Sequence, residues 1–466
     1  MDFLTDINKD YVSYVIEETI NINSAYGVDN MTYKHFTSQK EAIVLGYIND
    51  FKNHQYKFKE YKELLILKNK HEKPRCISIP TLRDKVCLKL IQIYLYSIFS
   101  KQISKQEIPQ AHIKKMKTSL NRYDSFIKID IKNFFDSIDQ KILCEKLKEK
   151  IEIDELNLVL QAIKNKTGND IQKKGIPQGI SISNILVDIY LAELDYEYEK
   201  NPDLFYTRYV DDIVILCNSK DINAIYESIS FKITKELKLD IHEGKTMKEE
   251  LKNGFSFLGY RTYVDKYDNK IKMTIKDEAV KKIERKIIKV IQEYKYSDKG
   301  NVATKKIIHS LNLIITGAIT KKINAVNIEK RYGWLFFYSQ TDSIRSLYHL
   351  DSLIHRKIGK IASEMAEIKQ EEILNSIKKF TIAYREIKYN YAHSNYIFRP
   401  DQLEVEAKKS FLIETYGFKD EKLNFERNRD KYSKEEDFND MIDKIYYKHV
   451  YLVIKKQEKD ILHVIS

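Results

Sequence analysis

Residues 208–216 read Arg208-Tyr209-Val210-Asp211-Asp212-Ile213-Val214-Ile215-Leu216. The two acids lie between apolar stretches that read as the arms of a β-hairpin spanning 205–217. Burying neighbouring carboxylates costs free energy through desolvation and like-charge repulsion. A chain keeps such a pair most readily where a divalent cation neutralises it. Two carboxylate-held Mg²⁺ ions about 3.5–4 Å apart are a known device for in-line phosphoryl transfer. The plain alternative is a solvated Asp-Asp turn, so the rest of the chain decides.

Upstream, residues 126–138 contain an apolar strand pattern that ends at Asp130 and is followed by Phe134 and Phe135. Residues 175–184 form a Gly/Pro-rich turn, Gly175-Ile176-Pro177-Gln178-Gly179, leading through Ser183 into an apolar, helical run. A basic turn with Gly244, Lys245 and Thr246 precedes Phe255-Ser256-Phe257-Leu258-Gly259-Tyr260. Near the start, Lys73-Pro74-Arg75 opens an apolar strand that runs on to Arg83 and Asp84.

This ordered set resembles the reverse transcriptases, over roughly residues 20–265. Asp130 with Phe134–Phe135 matches the first palm motif, and Pro177-Gln178-Gly179 with Ser183 the second. Tyr209-Val210-Asp211-Asp212 matches the third, Lys245 the fourth, and Phe257-Leu258-Gly259-Tyr260 the primer grip. Residues 26–36 resemble the segment before the fingers in group II intron and bacterial enzymes. Any one motif is weak; six in order are specific.

The resemblance implies a role for each position. Asp130 and Asp211 would bridge two Mg²⁺ ions (Mn²⁺ being the alternative), with Asp212 completing the carboxylate cluster. Lys73 and Arg75 would grip the triphosphate, Arg bidentately and Lys as a point charge, although solvated charge is the usual state of both. Gln178 and Gly179 would floor the nucleotide pocket, where glycine allows close backbone approach. Phe135, five residues after Asp130, is the implied sugar gate against a ribose 2′-hydroxyl, while Phe134 packs into the core. Lys245 would sit near the leaving pyrophosphate, or simply cap a helix. The Tyr-X-Asp-Asp form argues against an RNA-templated RNA polymerase.

Composition agrees. The chain holds 80 Lys+Arg against 68 Asp+Glu, net +12. Residues 401–466 carry a net −2, which leaves +14 in residues 1–400. That distribution suits a nucleic-acid channel. The four cysteines, Cys76, Cys87, Cys144 and Cys217, form no Cys-X-X-Cys pair, which speaks against a zinc ribbon or zinc nuclease. Cys76 and Cys217 read as buried thiols, in keeping with a reducing cytoplasm. No signal peptide and no apolar run of ~20 residues is visible, so a cytoplasmic protein without membrane association is expected.

The expected fold class is α+β: a right-hand polymerase with fingers, an antiparallel palm sheet and a helical thumb, plus a mainly helical extension. Residues 1–125 would form the N-terminal segment and fingers, 126–270 the palm, 271–350 the thumb and 351–466 the extension. Helices are expected over 2–22, 84–100, 139–165 (one or two), 221–237, 303–323, 341–364 and 367–388, and strands over 62–68, 74–79, 126–130 and 255–264. Val280, Ile283, Ile287, Ile291 and Tyr294 recur at helical spacing, with Lys281, Lys282, Arg285, Lys286 and Lys289 on a basic face that could track a duplex or stay solvated. The charged segment 424–440 reads as a loop. Tyr432, Tyr446, Tyr447 and Tyr451 look exposed, and Tyr446 or Tyr447 is a candidate protein primer.

The sequence therefore points to an RNA-directed DNA polymerase using dNTPs, an RNA template and a DNA product. Paired zinc ligands and an RNase H constellation are not visible. The layout resembles the bacterial defence-associated and abortive-infection reverse transcriptases, acting with a structured noncoding RNA and in some cases as homo-oligomers. A retron-type enzyme making RNA-linked DNA, or an untemplated or protein-primed polymerase, is the alternative. A catalytically silent RNA-binding scaffold is the reading from another class.

Overall fold

The computed structural model describes residues 7–22, 24–67, 74–103, 108–168, 174–298, 300–321, 329–362, 367–428 and 435–465. The chain divides into two compact units: Met1–Ile108 with Thr118–Leu251, and Pro109–Lys117 with Lys252–Ser466. Helices and antiparallel strands make it the α+β class expected. Among the described residues, no helix is long and apolar enough to cross a membrane.

In the first unit, strands β1 (Lys62–Ile66) and β2 (Arg75–Ile79) pair as an antiparallel hairpin. Strands β3 (Ser125–Asp130), β4 (Phe205–Tyr209), β5 (Asp212–Cys217) and β6 (Met247–Glu250) form a four-stranded antiparallel sheet in the order β4-β5-β3-β6. The register pairs Ile127 with Ile215, Ile129 with Ile213 and Asp130 with Asp212. Side chains alternate across a strand. The four isoleucines therefore share one face, and they join the core built on helices Lys9–Thr19, Leu82–Ile98 and Ser183–Lys200. Lys128, Asp130 and Asp212 take the other face. Each buried isoleucine contributes roughly 1.5–3 kcal/mol, so this core fixes the register firmly. A one-residue slip would drive the carboxylates into it.

Other elements lock this core together. Thr81 caps the helix Leu82–Ile98, accepting from Asp84 N at 3.1 Å. Asp84 is buried and accepts from Tyr56 and Thr81 hydroxyls at 2.9 and 2.8 Å. Arg83 pairs with Asp50. The N-terminal helix is Lys9–Thr19, capped by Asn8 and shorter than 2–22. The 139–165 stretch is two helices, Gln140–Lys148 and Ile153–Lys164. The 221–237 stretch is the α-helix Ile222–Phe231 followed by a wider π turn, Lys232–Glu236.

The second unit holds a three-stranded sheet of β7 (Ser256–Phe257), β8 (Tyr260–Val264) and β9 (Ile271–Ile275). The single strand expected over 255–264 is broken because Leu258 and Gly259 both take positive φ, 46° and 77°. That two-residue left-handed turn closes a hairpin. The helix Asp277–Lys295 buries the anticipated Val280, Ile283, Ile287, Ile291 and Tyr294. The helix Asn301–Thr316 ends earlier than 303–323. At Gly317, φ +64°, an added Cβ would strike the Tyr332 carbonyl. The chain turns there into β10 (Ala318–Lys321), which pairs with β11 (Glu329–Tyr332). The 341–364 stretch is the helix Arg345–Ala362.

The 367–388 stretch is likewise two helices, Glu367–Ser376 and Phe380–Tyr389. The Asn312 side chain donates to Ser376 O and accepts from Lys378 N, at 2.9 and 2.8 Å, and Asp351 caps Phe380 N at 2.6 Å. Within the expected loop 424–440, a helix begins at Glu435 and runs to Ile465. Cys217 is buried as expected, but Cys76 is exposed, because it lies in the first, exposed part of β2, before the strand becomes buried at Ser78.

Candidate active site

The hairpin β4–β5 turns through Val210 and Asp211, between the paired residues Tyr209 and Asp212. Val210 has φ +56°, a left-handed conformation that a β-branched side chain adopts at a cost of about 1–2 kcal/mol. Asp211, half-buried, sits in the turn, while Asp212 opens β5 opposite Asp130. Asp130 itself ends β3. Its carbonyl accepts from His242 N at 2.8 Å, and two residues on Lys132 N donates to Asp240 O at 2.8 Å.

Two lysines neutralise this face. Lys128 Nζ lies 3.2 Å from Asp212 Oδ2, and Lys245 Nζ lies 3.4 Å from Asp130 Oδ2. Asp212 Oδ1 is fully buried with no hydrogen-bond partner among the described residues. Burial pushes the Asp212 carboxyl up to about 6; Lys128 opposes the shift, and Asp211 and Asp130 add to it. An orphaned carboxylate oxygen in an all-oxygen donor set fits a hard cation such as Mg²⁺ or Mn²⁺. Among the described residues, no three His, Cys, Asp or Glu side chains already stand in metal-ligating geometry. Asp130 and Asp212 are each paired with a lysine instead.

The first unit also gathers the expected nucleotide-side residues. Asn133, φ +48°, starts the short helix Phe134–Ser137. Phe134 is buried and Phe135 half-buried, with ring centroids 5.9 Å apart. Ile176 N donates to Phe135 O at 2.8 Å, and Gly175 N to Ile138 O at 2.9 Å. These bonds tie the aromatic pair to the Gly175–Gly179 turn. Ser78 N on β2 donates to Gln178 O at 2.7 Å. Gly179, φ +98°, lies so close that an added Cβ would meet Ile77 Cγ2 at 2.6 Å. Arg75, on the same strand, acts electrostatically on Asp136, whose pKa burial raises.

Phe257, Leu258, Gly259 and Tyr260 belong to the second unit. Tyr260 donates its hydroxyl to Phe337 O at 2.6 Å, and Lys276 N donates to Gly259 O at 2.9 Å. An added Cβ at Gly259 would collide with the Tyr338 hydroxyl. Lys73 and Tyr432 lie outside the described residues. Tyr446 is 3% exposed, in the cluster with Phe438, Ile442 and Val450, and its hydroxyl is buried. An exposed nucleophile is thus not what this position presents; the helix turns it inward against Phe411. Tyr451 is also buried, while Tyr447 is 51% exposed and stacks on it.

Sequence reasoning missed two features. Lys128 was read as part of an apolar strand, though its i−2 position from Asp130 puts it on the carboxylate face. Arg208 stands next to the turn in sequence, where nothing local shows its partners. Its guanidinium bonds Asp195 and Asp188 on helix Ser183–Lys200 and the Val210 carbonyl. The signal was a seven-residue spacing of two acids on one helix face, beside a strand with an inward arginine.

Comparison with known proteins bears on residues 66–262, which match the family model for reverse transcriptase (RNA-dependent DNA polymerase). The group II intron-encoded protein LtrA of Lactococcus lactis subsp. cremoris is 24% identical over a match covering 53% of this chain and 54% of that protein. The COX1/OXI3 intron 1 protein of Saccharomyces cerevisiae is 28% identical over 38% of this chain and 23% of its own length. The chain thus spans about half the length of the Lactococcus relative. Among solved structures, apo telomerase from Candida tropicalis overlaps with a TM-score of 0.39 at 13% identity, covering 80% of this chain and 75% of that one. Telomerase from Candida albicans, in complex with a fragment of telomeric RNA, overlaps with a TM-score of 0.37 at 14% identity, covering 78% and 68%. Residues 66–262 thus match a reverse transcriptase domain, with sequence homology to group II intron-encoded proteins.

Proposed function

We propose that this reverse transcriptase domain is an active RNA-directed DNA polymerase, adding dNMPs to a DNA 3′-end on an RNA template. The observation that carries this is the pairing of Asp130 with Asp212 across β3 and β5, beside a buried Asp212 oxygen with no hydrogen-bond partner among the described residues. Asp130, Asp211 and Asp212 would hold two Mg²⁺ ions, which lower the pKa of the primer hydroxyl and stabilise the leaving pyrophosphate. Lys245, already at Asp130, supplies positive charge beside the polyphosphate. Arg75 and Lys73 grip the triphosphate. Gln178 and Gly179 floor the pocket, where a larger residue at 179 would push into β2. The Phe135 ring stands against a ribose 2′-hydroxyl. Phe257–Tyr260 holds the primer strand, and the basic side of helix Asp277–Lys295 follows the duplex backbone.

The setting we propose is antiphage defence in the cytoplasm, with a structured noncoding RNA as template. It is supported by the resemblance in motif order and by the helical region that follows the polymerase motifs. A homo-oligomer is the assembly this class suggests. Of the tail tyrosines among the described residues, Tyr447 has the exposure that protein priming requires.

The test is to purify the protein from cells carrying its native flanking DNA, beside an Asp211→Ala/Asp212→Ala control, and to sequence all co-purifying nucleic acid. A discrete RNA with complementary DNA, lost in the control, supports the proposal and names the template. DNA without a matching RNA points to untemplated synthesis, and RNA without DNA in either sample favours a silent scaffold.

A further inference from the structure

The hairpin that carries Asp211 and Asp212 is held from behind by one guanidinium. Arg208 Nε lies 2.9 Å from Asp195 Oδ1 and 3.1 Å from Oδ2, and Nη2 lies 2.5 Å from Asp195 Oδ2. Nη2 also reaches Asp188 Oδ1 at 3.1 Å. Nη1 donates to the Val210 carbonyl at 2.9 Å. Tyr206 adds a hydroxyl bond to Asp195 Oδ1 at 2.7 Å. The Arg208 side chain is 7% exposed and each carboxylate 18%.

Val210 is the strained residue of the turn, with φ +56°. Its carbonyl is bonded to the same cation that is clamped to helix Ser183–Lys200. That helix packs into the core through Ile185, Leu186, Ile189 and Tyr190, so it provides a rigid anchor. The chain of contacts therefore runs from a buried helix, through a planar fork, to the backbone between Tyr209 and Asp211. Only arginine offers this geometry. A lysine ammonium is a point charge and cannot bond Asp195 bidentately while reaching Val210.

We propose that Arg208, braced by Asp195 and Asp188, is a positioning residue that holds the Val210 turn in its left-handed conformation and so presets the spacing of the metal-ligating carboxylates. This rests on the polymerase reading given above. Arg208 touches neither nucleotide nor metal in this role; it acts through the backbone of the turn. Asp195 takes most of its bonds, so loss of Asp195 weakens the brace more than loss of Asp188. The ion-pair cluster also forms one wall of a cavity of about 330 Å³, with Tyr196 and Glu199 among its other linings. Water can enter there to solvate a shortened side chain, so Arg208→Lys is expected to fold.

The experiment compares wild type, Arg208→Lys, Asp195→Asn and Asp188→Asn by hydrogen exchange of peptides covering 205–217, together with the Mg²⁺ concentration for half-maximal primer extension and the KM for dNTP. The expected result is faster exchange confined to that hairpin and a half-saturating Mg²⁺ raised roughly 10–100-fold, as for other residues that orient metal ligands. The dNTP KM stays nearly unchanged, and Asp188→Asn shows the smallest effect. Wild-type exchange and wild-type Mg²⁺ dependence in folded Arg208→Lys would overturn the proposal. Should Arg208→Lys not fold, Asp195→Asn decides by the same two readouts, wild-type behaviour in it overturning the proposal. If wild type extends no primer, the polymerase reading fails, and the exchange data still judge the brace on its own.

Discussion

Asp130 and Asp212 face each other across the β3–β5 ladder, and each is matched to its own lysine, Lys245 and Lys128. The pairing explains how a folded chain tolerates the acids at the head of the hairpin. On the opposite sheet face, the isoleucines hold the register; on this face, two ammonium groups offset the like charges. The Asp212 oxygen that neither lysine satisfies is where a cation has most to gain.

Cation binding should depend on pH in a defined direction. Burial raises the Asp212 carboxyl to about 6, above the ordinary value of ~3.9. Its contribution to stability is therefore present below about pH 4 and lost as pH rises through about 6. Above that pH the buried anion is destabilising unless a cation meets it. Mg²⁺ should raise the melting temperature more at neutral pH than near pH 5, with apparent affinity falling roughly tenfold per pH unit below the carboxyl value. Thermal melts with and without Mg²⁺ across this range check it; equal stabilisation at both ends would count against the assignment.

Phe135 should set sugar selectivity. Phe135→Ala is expected to retain dNTP incorporation while improving rNTP incorporation by at least tenfold, since relieving one steric clash is worth about 1–3 kcal/mol. Ratios of kcat/KM for a matched dNTP and rNTP report this. Phe134→Ala, by contrast, removes a buried ring and should cost about 3–5 kcal/mol of stability.

Two glycine-to-alanine substitutions should move stability in opposite directions. At Gly179, φ +98°, a methyl meets Ile77 Cγ2 at 2.6 Å and Ser78 O at 2.9 Å. Gly179→Ala should cost at least about 1–2 kcal/mol and lower activity as β2 is displaced. Gly46 lies within the helix Lys40–Lys52, and an added Cβ there meets nothing within 4 Å. Gly46→Ala should stabilise by roughly 0.5–1 kcal/mol. Urea titrations measure both.

His309 should make the second unit acid-sensitive. Its ring sits edge-on to Phe398 and Phe411, with centroids 5.3 and 4.8 Å away, and burial lowers its pKa to about 4. A depressed folded value means stability is present above the unfolded pKa, ~6.5, and is lost as pH falls towards 4. His309→Phe should flatten that loss, worth at most about 3 kcal/mol. Denaturation followed at several pH values between these limits tests it.

Much of the carboxylate face was legible because it is local. An apolar strand ending at Asp130 and a hairpin turning at Asp211 each follow from side-chain alternation, and the shared face follows once the strands pair. The helix Asp277–Lys295 announced its buried stripe through spacing alone. What stayed hidden depends on tertiary partners. Arg208 finds Asp195 and Asp188, which on an isolated helix look like solvated acids. Leu258 adopts positive φ in the tight turn it forms with Gly259, where the Tyr338 hydroxyl leaves no room for a Cβ at 259, which propensity for leucine does not suggest. Tyr446 looked exposed amid charge, yet helix Glu435–Ile465 buries it against Phe411. The apolar run through Thr316 read as continuous helix until Gly317 and the β10–β11 pairing ended it.

The most direct test of the central claim is primer extension on an RNA of defined, non-repetitive sequence with Mg²⁺ and all four dNTPs, sequencing the product from wild type and from Asp211→Ala. DNA complementary to the template is expected from wild type and none from Asp211→Ala, with both proteins folded. Product unrelated to the template, or equal synthesis by Asp211→Ala, would contradict it.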